Sequence, residues 1–222
     1  MILLQSTNCS HRYPGQSPIY WPDYALESGT VLGFRGPSGC GKSTALHTAG
    51  GLLPLHTGSL QLTNIAAVQP GVRVPNAWRQ KGVGWIPQRP FFWPGFTVRR
   101  NLELAAWAKQ TQLDSRVWEL LERLGLAEYR DRRADRLSLG QQQRLSTVRA
   151  TVGNPQVLLA DEPTASLDDS QSLEVMTVLR NWCETSGGGV LLASHDARTL
   201  PFQTIGIDFT KILTVNPQQD AQ

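Results

Sequence analysis

Gly36-Pro37-Ser38-Gly39-Cys40-Gly41-Lys42-Ser43 follows the apolar run Val31-Leu32-Gly33-Phe34 and leads into Thr44-Ala45-Leu46. The order reads strand, glycine-rich loop, helix. The spacing GxxxxGK[ST] is that of a loop that cradles phosphates. Its glycines let successive backbone N–H groups converge on phosphate oxygens, and the helix that follows offers its positive N-terminus. On this reading Lys42 bridges the β- and γ-phosphates of a nucleotide and the Ser43 hydroxyl ligates Mg²⁺. A bland glycine-rich turn with an exposed lysine is the competing reading; the position between strand and helix disfavours it.

Two further features sit where such a loop needs them. Val157-Leu158-Leu159-Ala160 is a continuous apolar run, as expected of a parallel strand buried on both faces, and it ends in Asp161-Glu162. Carboxylates at the end of a buried strand are costly unless they meet a cation or a positioned water. Asp161 suits Mg²⁺, and Glu162 suits polarisation of an attacking water. Taken alone, the pair also fits a cap for a helix after Pro163. His195 follows a second buried run, Val190-Leu191-Leu192-Ala193. It therefore stands at a strand's C-terminal end, although a single histidine taken by itself is more often structural than catalytic.

Outward from these, Val83-Gly84-Trp85-Ile86 reads as a strand stopped by Pro87. Apolar spacing predicts helices over 97–108, 114–124, 139–152 and 170–186, the third opened by a capping box at Ser138-Leu139-Gly140-Gln141. Strands thus bracket a stretch, about 94–152, that reads as almost wholly helical: an α/β core with an inserted helical lobe. Composition agrees. Hydrophobic residues make up 40% of 222, enough for a core, and charged residues only 18%. A net charge of +3 gives no electrostatic case for nucleic acid. Three cysteines without CxxC spacing argue against a disulfide framework or zinc site and fit a reducing cytoplasm. The first eleven residues turn polar too soon for a signal peptide, and no apolar run is long enough to span a bilayer. Residues 130–136, of mixed sign, read as a solvated linker, and 216–222 as a frayed polar tail.

The set of motifs resembles the nucleotide-binding subunit of ATP-binding cassette (ABC) transporters over nearly the whole chain. Besides the phosphate loop, Gln88 matches the Q-loop, Leu137-Ser138-Leu139-Gly140-Gln141 the LSGGQ signature with one departure, Asp161-Glu162 Walker B, Ser166-Leu167-Asp168 the D-loop and His195 the switch histidine. Tyr13 stands where the family keeps an adenine-stacking ring. The resemblance implies one ABC ATPase domain with a P-loop NTPase core, a mostly parallel sheet and N-terminal antiparallel β elements. Residues 1–93 and 153–222 would form the RecA-like core with its β subdomain, and 94–152 the helical signature subdomain.

It also implies ATP and Mg²⁺ as cofactors, with Gly36, Pro37, Ser38, Gly39, Cys40, Gly41, Lys42, Ser43, Thr44 and Tyr13 on the nucleotide. Ser43, Gln88 and Asp161 would serve the metal; Glu162, His195, Gln88 and Lys42 would carry hydrolysis. Ser138, Gly140 and Gln141 would act in trans, and Asp168 would couple the two sites of a head-to-tail dimer. The partners implied are a transmembrane permease and a second cassette, identical or paired, with no nucleic acid. The location implied is cytoplasmic, on the inner face of the membrane through the permease. Residues 89–94, rich in aromatics and proline, lie on the surface that in the family faces the permease. The departure is Leu139, where a glycine is usual; its side chain would crowd the opposing nucleotide and slow turnover. The wording around Asp161 leans weakly to the lipoprotein-release and macrolide-export branch. The alternatives are a non-transport ABC-type ATPase, disfavoured because the interval from Lys42 to Ser138 has no room for coiled-coil heptads, and a catalytically weak regulatory cassette.

Overall fold

The computed structural model describes residues 1–210; the tail expected to fray, 216–222, lies outside them. In chain order the elements are β1 (Ile2–His11), β2 (Ile19–Tyr20), β3 (Tyr24–Glu27), β4 (Val31–Arg35), α1 (Lys42–Ala49), β5 (Thr57–Leu62) and β6 (Val83–Ile86). There follow α2 (Val98–Ala108), α3 (Ser115–Arg123), α4 (Leu139–Thr151), β7 (Val157–Asp161), α5 (Asp169–Ser186), β8 (Gly189–Ala193) and β9 (Ile205–Asp208). The segment read from sequence only as too polar for a signal peptide is thus a ten-residue strand. Its inward side chains include Ser6, Ser10 and His11, and each finds a partner. Trp21 Nε1 donates to Ser6 Oγ at 3.1 Å, Ser10 Oγ pairs with Thr57 Oγ1 at 2.7 Å, and His11 Nδ1 meets Pro54 O at 2.8 Å. Satisfied polar atoms are tolerated inside, and they hide the strand from an apolar-pattern reading. β2, β3 and β5 pair antiparallel with β1.

The second sheet has the order β6-β7-β8-β4-β9, and every pairing in it is parallel. Alternation along a strand sends neighbours to opposite faces. Leu158, Ala160, Val190 and Leu192 join a core with α2–α5, whereas Val157, Leu159, Leu191 and Ala193 join one with α1, β1, β3 and β5. Burial on both faces is why β7 and β8 read as unbroken apolar runs.

Between β6 and β7 run α2, α3 and α4, each opened by a side-chain cap: Thr97 to Arg100 N, Asp114 to Val117 N, and a reciprocal capping box between Ser138 and Gln141. Residues 131–133, 135 and 136 are exposed, as a solvated linker requires, but the segment is also anchored. Ala134 is fully buried, the Arg130 guanidinium lies 3.8 Å from the Trp118 ring centroid, and Arg99–Asp131 and Arg133–Asp135 pair at 3.1 and 2.7 Å. A π-helical turn, Trp78–Gly82, buries Trp78, whose Nε1 donates to Ala49 O at 2.8 Å. The three cysteines are free and buried.

Candidate nucleotide site

Parallel register assembles the site. Ile86 pairs with Ala160 and Ala160 with Leu192; Asp161 pairs with Ala193 and Ala193 with Phe34. The strands therefore end level, and the residues just beyond them are neighbours: Gln88 after β6, Glu162 after β7, Ser194 and His195 after β8, and the glycine loop after β4. Ligands collect at this edge of open α/β sheets. A pocket of about 380 Å³ there is lined by Ser38, Gly39, Gly41, Lys42, Ser43, Thr44, Gln88, Glu162 and His195.

The phosphate loop keeps its donors in place by backbone geometry. Gly41 caps α1 at φ +99°, a left-handed conformation that favours glycine, and no side chain caps that helix end. Its leading N–H groups are thus directed at whatever anion the loop holds. Lys42 is buried, and Nζ donates to Gly36 O and Pro37 O, both at 2.8 Å, with Cys40 Sγ 3.8 Å away. Tyr13 is partly buried; its hydroxyl lies 3.3 Å from Thr44 Oγ1, and its ring meets His11 edge-on at 4.5 Å. That leaves an aromatic ring tethered to the helix of the phosphate loop.

Glu162 is held by three groups. Oε1 lies 2.6 Å from His195 Nδ1 and accepts from His195 N at 3.1 Å, while Oε2 accepts from Ser194 Oγ at 2.9 Å. Its backbone adopts φ +47°, uncommon for a residue with a side chain and the sort of local strain that surrounding contacts must sustain. His195 itself is 72% exposed at the side chain, so its ring can reach a ligand. A carboxylate so placed can take a proton from water held in the pocket. The Ser43 hydroxyl donates to Asp161 Oδ1 at 3.0 Å. Burial pushes the Asp161 carboxyl above its ordinary range, and the Ser43 hydrogen bond opposes that rise.

Among the described residues no group of three or more His, Cys, Asp or Glu could hold a metal. One hydroxyl and one carboxylate, with Gln88 across the pocket, nevertheless form a hard-oxygen donor set. That fits Mg²⁺, which keeps most of its waters and takes one or two protein ligands beside phosphate oxygens.

Ser138, Gly140 and Gln141 do not line this pocket. They form the first turn of α4, where Ser138 Oγ accepts from Gln141 N at 3.2 Å and Gln141 Oε1 from Ser138 N at 2.9 Å. Leu139 is 55% exposed in that turn. If it crowds an opposing nucleotide, Leu139→Gly raises steady-state ATP turnover; a fall, or no change, rejects the crowding account. Asp168 caps α5 by accepting from Gln171 N at 2.8 Å.

Sequence reasoning missed Ser194, which orients Glu162, and Gln143 of α4, whose Nε2 donates to Pro87 O at 3.4 Å beside Gln88. Ser194 immediately precedes His195 and was within reach of the same strand-end argument. Residues 89–94 divide: Phe92 is buried beneath Arg149, whose guanidinium lies 4.6 Å from its ring, whereas Phe91 and Trp93 are exposed.

Known proteins agree with this geometry. The family model for ABC transporters matches residues 22–165. The phosphonates import ATP-binding protein PhnC 2 of Synechococcus sp. (strain JA-2-3B'a(2-13)) is 32% identical, covering 97% of this chain and 85% of the relative. The lipoprotein-releasing system ATP-binding protein LolD of Maricaulis maris (strain MCS10) is 36% identical over 78% and 76%, so the release branch stands beside importers. The ATP-binding cassette MJ0796 was solved as a dimer in a post-hydrolysis state with ADP and Pi. It superposes with a TM-score of 0.81 at 27% identity over 93% of this chain and 94% of that one. With the model matching well over half its length, the chain belongs to the ABC transporter family as an ATP-binding cassette and is an ATPase.

Proposed function

We propose that the chain is the energy-supplying subunit of a membrane transporter, acting as one of two head-to-tail cassettes on a transmembrane permease. The observation that carries this reading is the division of the site. Lys42, Ser43, Gln88, Glu162 and His195 share one pocket, while the signature presents a capped helix N-terminus that does not line it. A helix end built for an anion, yet outside its own nucleotide pocket, is completed by the γ-phosphate on a second cassette. The second cassette is another copy of this chain or a paired relative.

In that arrangement Tyr13 stacks on adenine, and the amides of residues 36–43 with Lys42 and Thr44 hold the phosphates. Ser43, Gln88 and Asp161 would hold Mg²⁺, which when bound would supply neutralisation of phosphate charge. Glu162 draws the proton from the attacking water, His195 steadies the γ-phosphate and Asp168 couples the two sites. Contacts to ATP favour closure and hydrolysis reverses it, which supplies a stroke to the partner. Gln88 connects the site to the surface where the permease docks.

A cleft of about 610 Å³ on that side supports the partner. It is lined by Leu52, Val83, Trp85, Ala105, Lys109 and Arg149, and burial pulls the Lys109 ammonium down to about 8. No helix among the described residues is long and apolar enough to cross a membrane. In this reading the path across the bilayer belongs to the permease, which holds the cassette at the inner face. Affinity-tagged chain expressed in its own cell should co-purify with an integral membrane protein whose reconstitution in vesicles raises ATP turnover. A chain that stays unattached, with turnover unchanged by candidate membrane subunits, overturns the transport reading.

A further inference from the structure

Arg198 lies in the 3₁₀ turn Ala197–Phe202, after β8 and the His195 segment, with its side chain 35% exposed. Its whole guanidinium fork is engaged. Nε donates to Asp196 Oδ1 and Oδ2 at 3.0 and 2.9 Å, and Nη2 lies 2.7 Å from Asp196 Oδ2. Nη1 donates to Leu167 O at 3.2 Å and to Asp169 Oδ1 at 2.9 Å, and Nη2 to Thr164 O at 3.4 Å. Asp196 also accepts from Thr164 Oγ1 at 2.7 Å. The adjoining guanidinium holds the Asp196 carboxyl down at about 2. Asp169 is 95% exposed, so its ion pair contributes little; the carbonyls and Asp196 are the anchors.

These contacts join two loops that otherwise end separate strands. Thr164 and Leu167 bracket the turn that leads from Glu162 to Asp168, and Asp196 directly follows His195. The same turn touches the signature: a Cβ on Gly140 would lie 3.2 Å from Ser166 O and 3.4 Å from Leu167 Cδ2. One side chain therefore fastens the His195 segment, which holds Glu162, to the loop against which α4 begins. Lysine could not substitute, because a single ammonium lacks the planar set of five donors that reaches a carboxylate and two carbonyls at once.

We propose that Arg198 is a positioning residue for hydrolysis: it locks residues 164–169 to the His195 segment, so that the Glu162–His195 pair and the signature surface of one cassette move as a unit. The coupling between cassettes that this implies rests on the head-to-tail reading above; the effect on a chain's own turnover does not.

The test compares wild type, Arg198→Met and Arg198→Lys by ATP turnover over a range of ATP concentrations and by calorimetry with MgADP. Arg198→Met should lower kcat by on the order of 10- to 100-fold, the scale of misplacing a catalytic group by about an ångström. MgADP affinity should stay within about twofold, Hill behaviour in ATP should flatten, and Arg198→Lys should recover little of kcat. A kcat loss below about threefold, or one matched by an equal loss of MgADP affinity, overturns the proposal. If Arg198→Met does not fold, Asp196→Asn serves: kcat should fall at least about fivefold, and unchanged kcat overturns it. Light scattering of Glu162→Gln with MgATP separates the two readings. No dimer there defeats the head-to-tail arrangement while leaving the kcat comparison decisive for Arg198.

Discussion

Glu162→Gln should reduce ATP turnover by roughly 100- to 1000-fold with nucleotide binding retained, the range that general-base catalysis supplies. The amide is isosteric: with its carbonyl oxygen in the Oε2 position it can still accept from the Ser194 hydroxyl and the His195 backbone N–H, now 2.9 and 3.4 Å from that oxygen, while its NH2, in the Oε1 position, faces His195 Nδ1 as a donor. What it lacks is basicity. The left-handed backbone at φ +47° makes the same demand on either side chain, so the fold should survive the exchange. Under the two-cassette reading the unhydrolysed nucleotide also traps closed pairs, visible as a doubling of mass in light scattering with MgATP. Phosphate release is the primary measurement. A variant that keeps more than about a tenth of wild-type turnover would remove Glu162 from the role of base.

Gly84→Ala tests the frame rather than the chemistry. Gly84 lies in β6 against the last turns of α4, and a Cβ there would fall 2.1 Å from Ala150 O and 2.6 Å from Leu158 Cδ2. A leucine methyl can rotate aside; a helical carbonyl cannot without moving the helix. One methyl should therefore destabilise the chain by about 3 kcal/mol, near the upper end for overpacking. For a chain of this size the melting temperature should fall by about 10 °C. Because α4 carries the signature at its other end, turnover of the folded fraction should fall as well. Urea unfolding within about 1 kcal/mol of wild type would mean that α4 slides off β6 at small cost and that the contact does not set its position.

The parts most legible in the sequence were those where chemistry or double-sided burial leaves few choices. A phosphate loop admits glycine, lysine and serine at fixed spacing; β7 and β8, covered on both faces, could hardly be anything but Val157-Leu158-Leu159-Ala160 and Val190-Leu191-Leu192-Ala193. Helix caps at Asp114 and Ser138 announced themselves because a side chain must accept from the third residue onward. β1 was illegible for the opposite reason: its buried face is partly Ser6, Ser10 and His11, and their partners come from β5 and loops far along the chain. β9 is an edge strand, exposed or partly exposed along its length, and Ile205 and Ile207 alternate over too few residues to mark it as a strand. Arg198 left no motif because Thr164 and Leu167 meet it through carbonyl oxygens, which every residue type provides.

The reciprocal bonds between Ser138 and Gln141 have a consequence for how fast two cassettes can engage. Ser138 Oγ spends a lone pair on the Gln141 amide, so its hydroxyl proton remains free to donate. Under the head-to-tail reading, the Ser138 and Gln141 side chains that would meet an incoming triphosphate are thus already ordered in the folded chain, with Leu139 left exposed beside them. Engagement should then be paced by diffusion of the two bodies toward each other, and sensitive to ionic strength, rather than by rearrangement of the recognition surface.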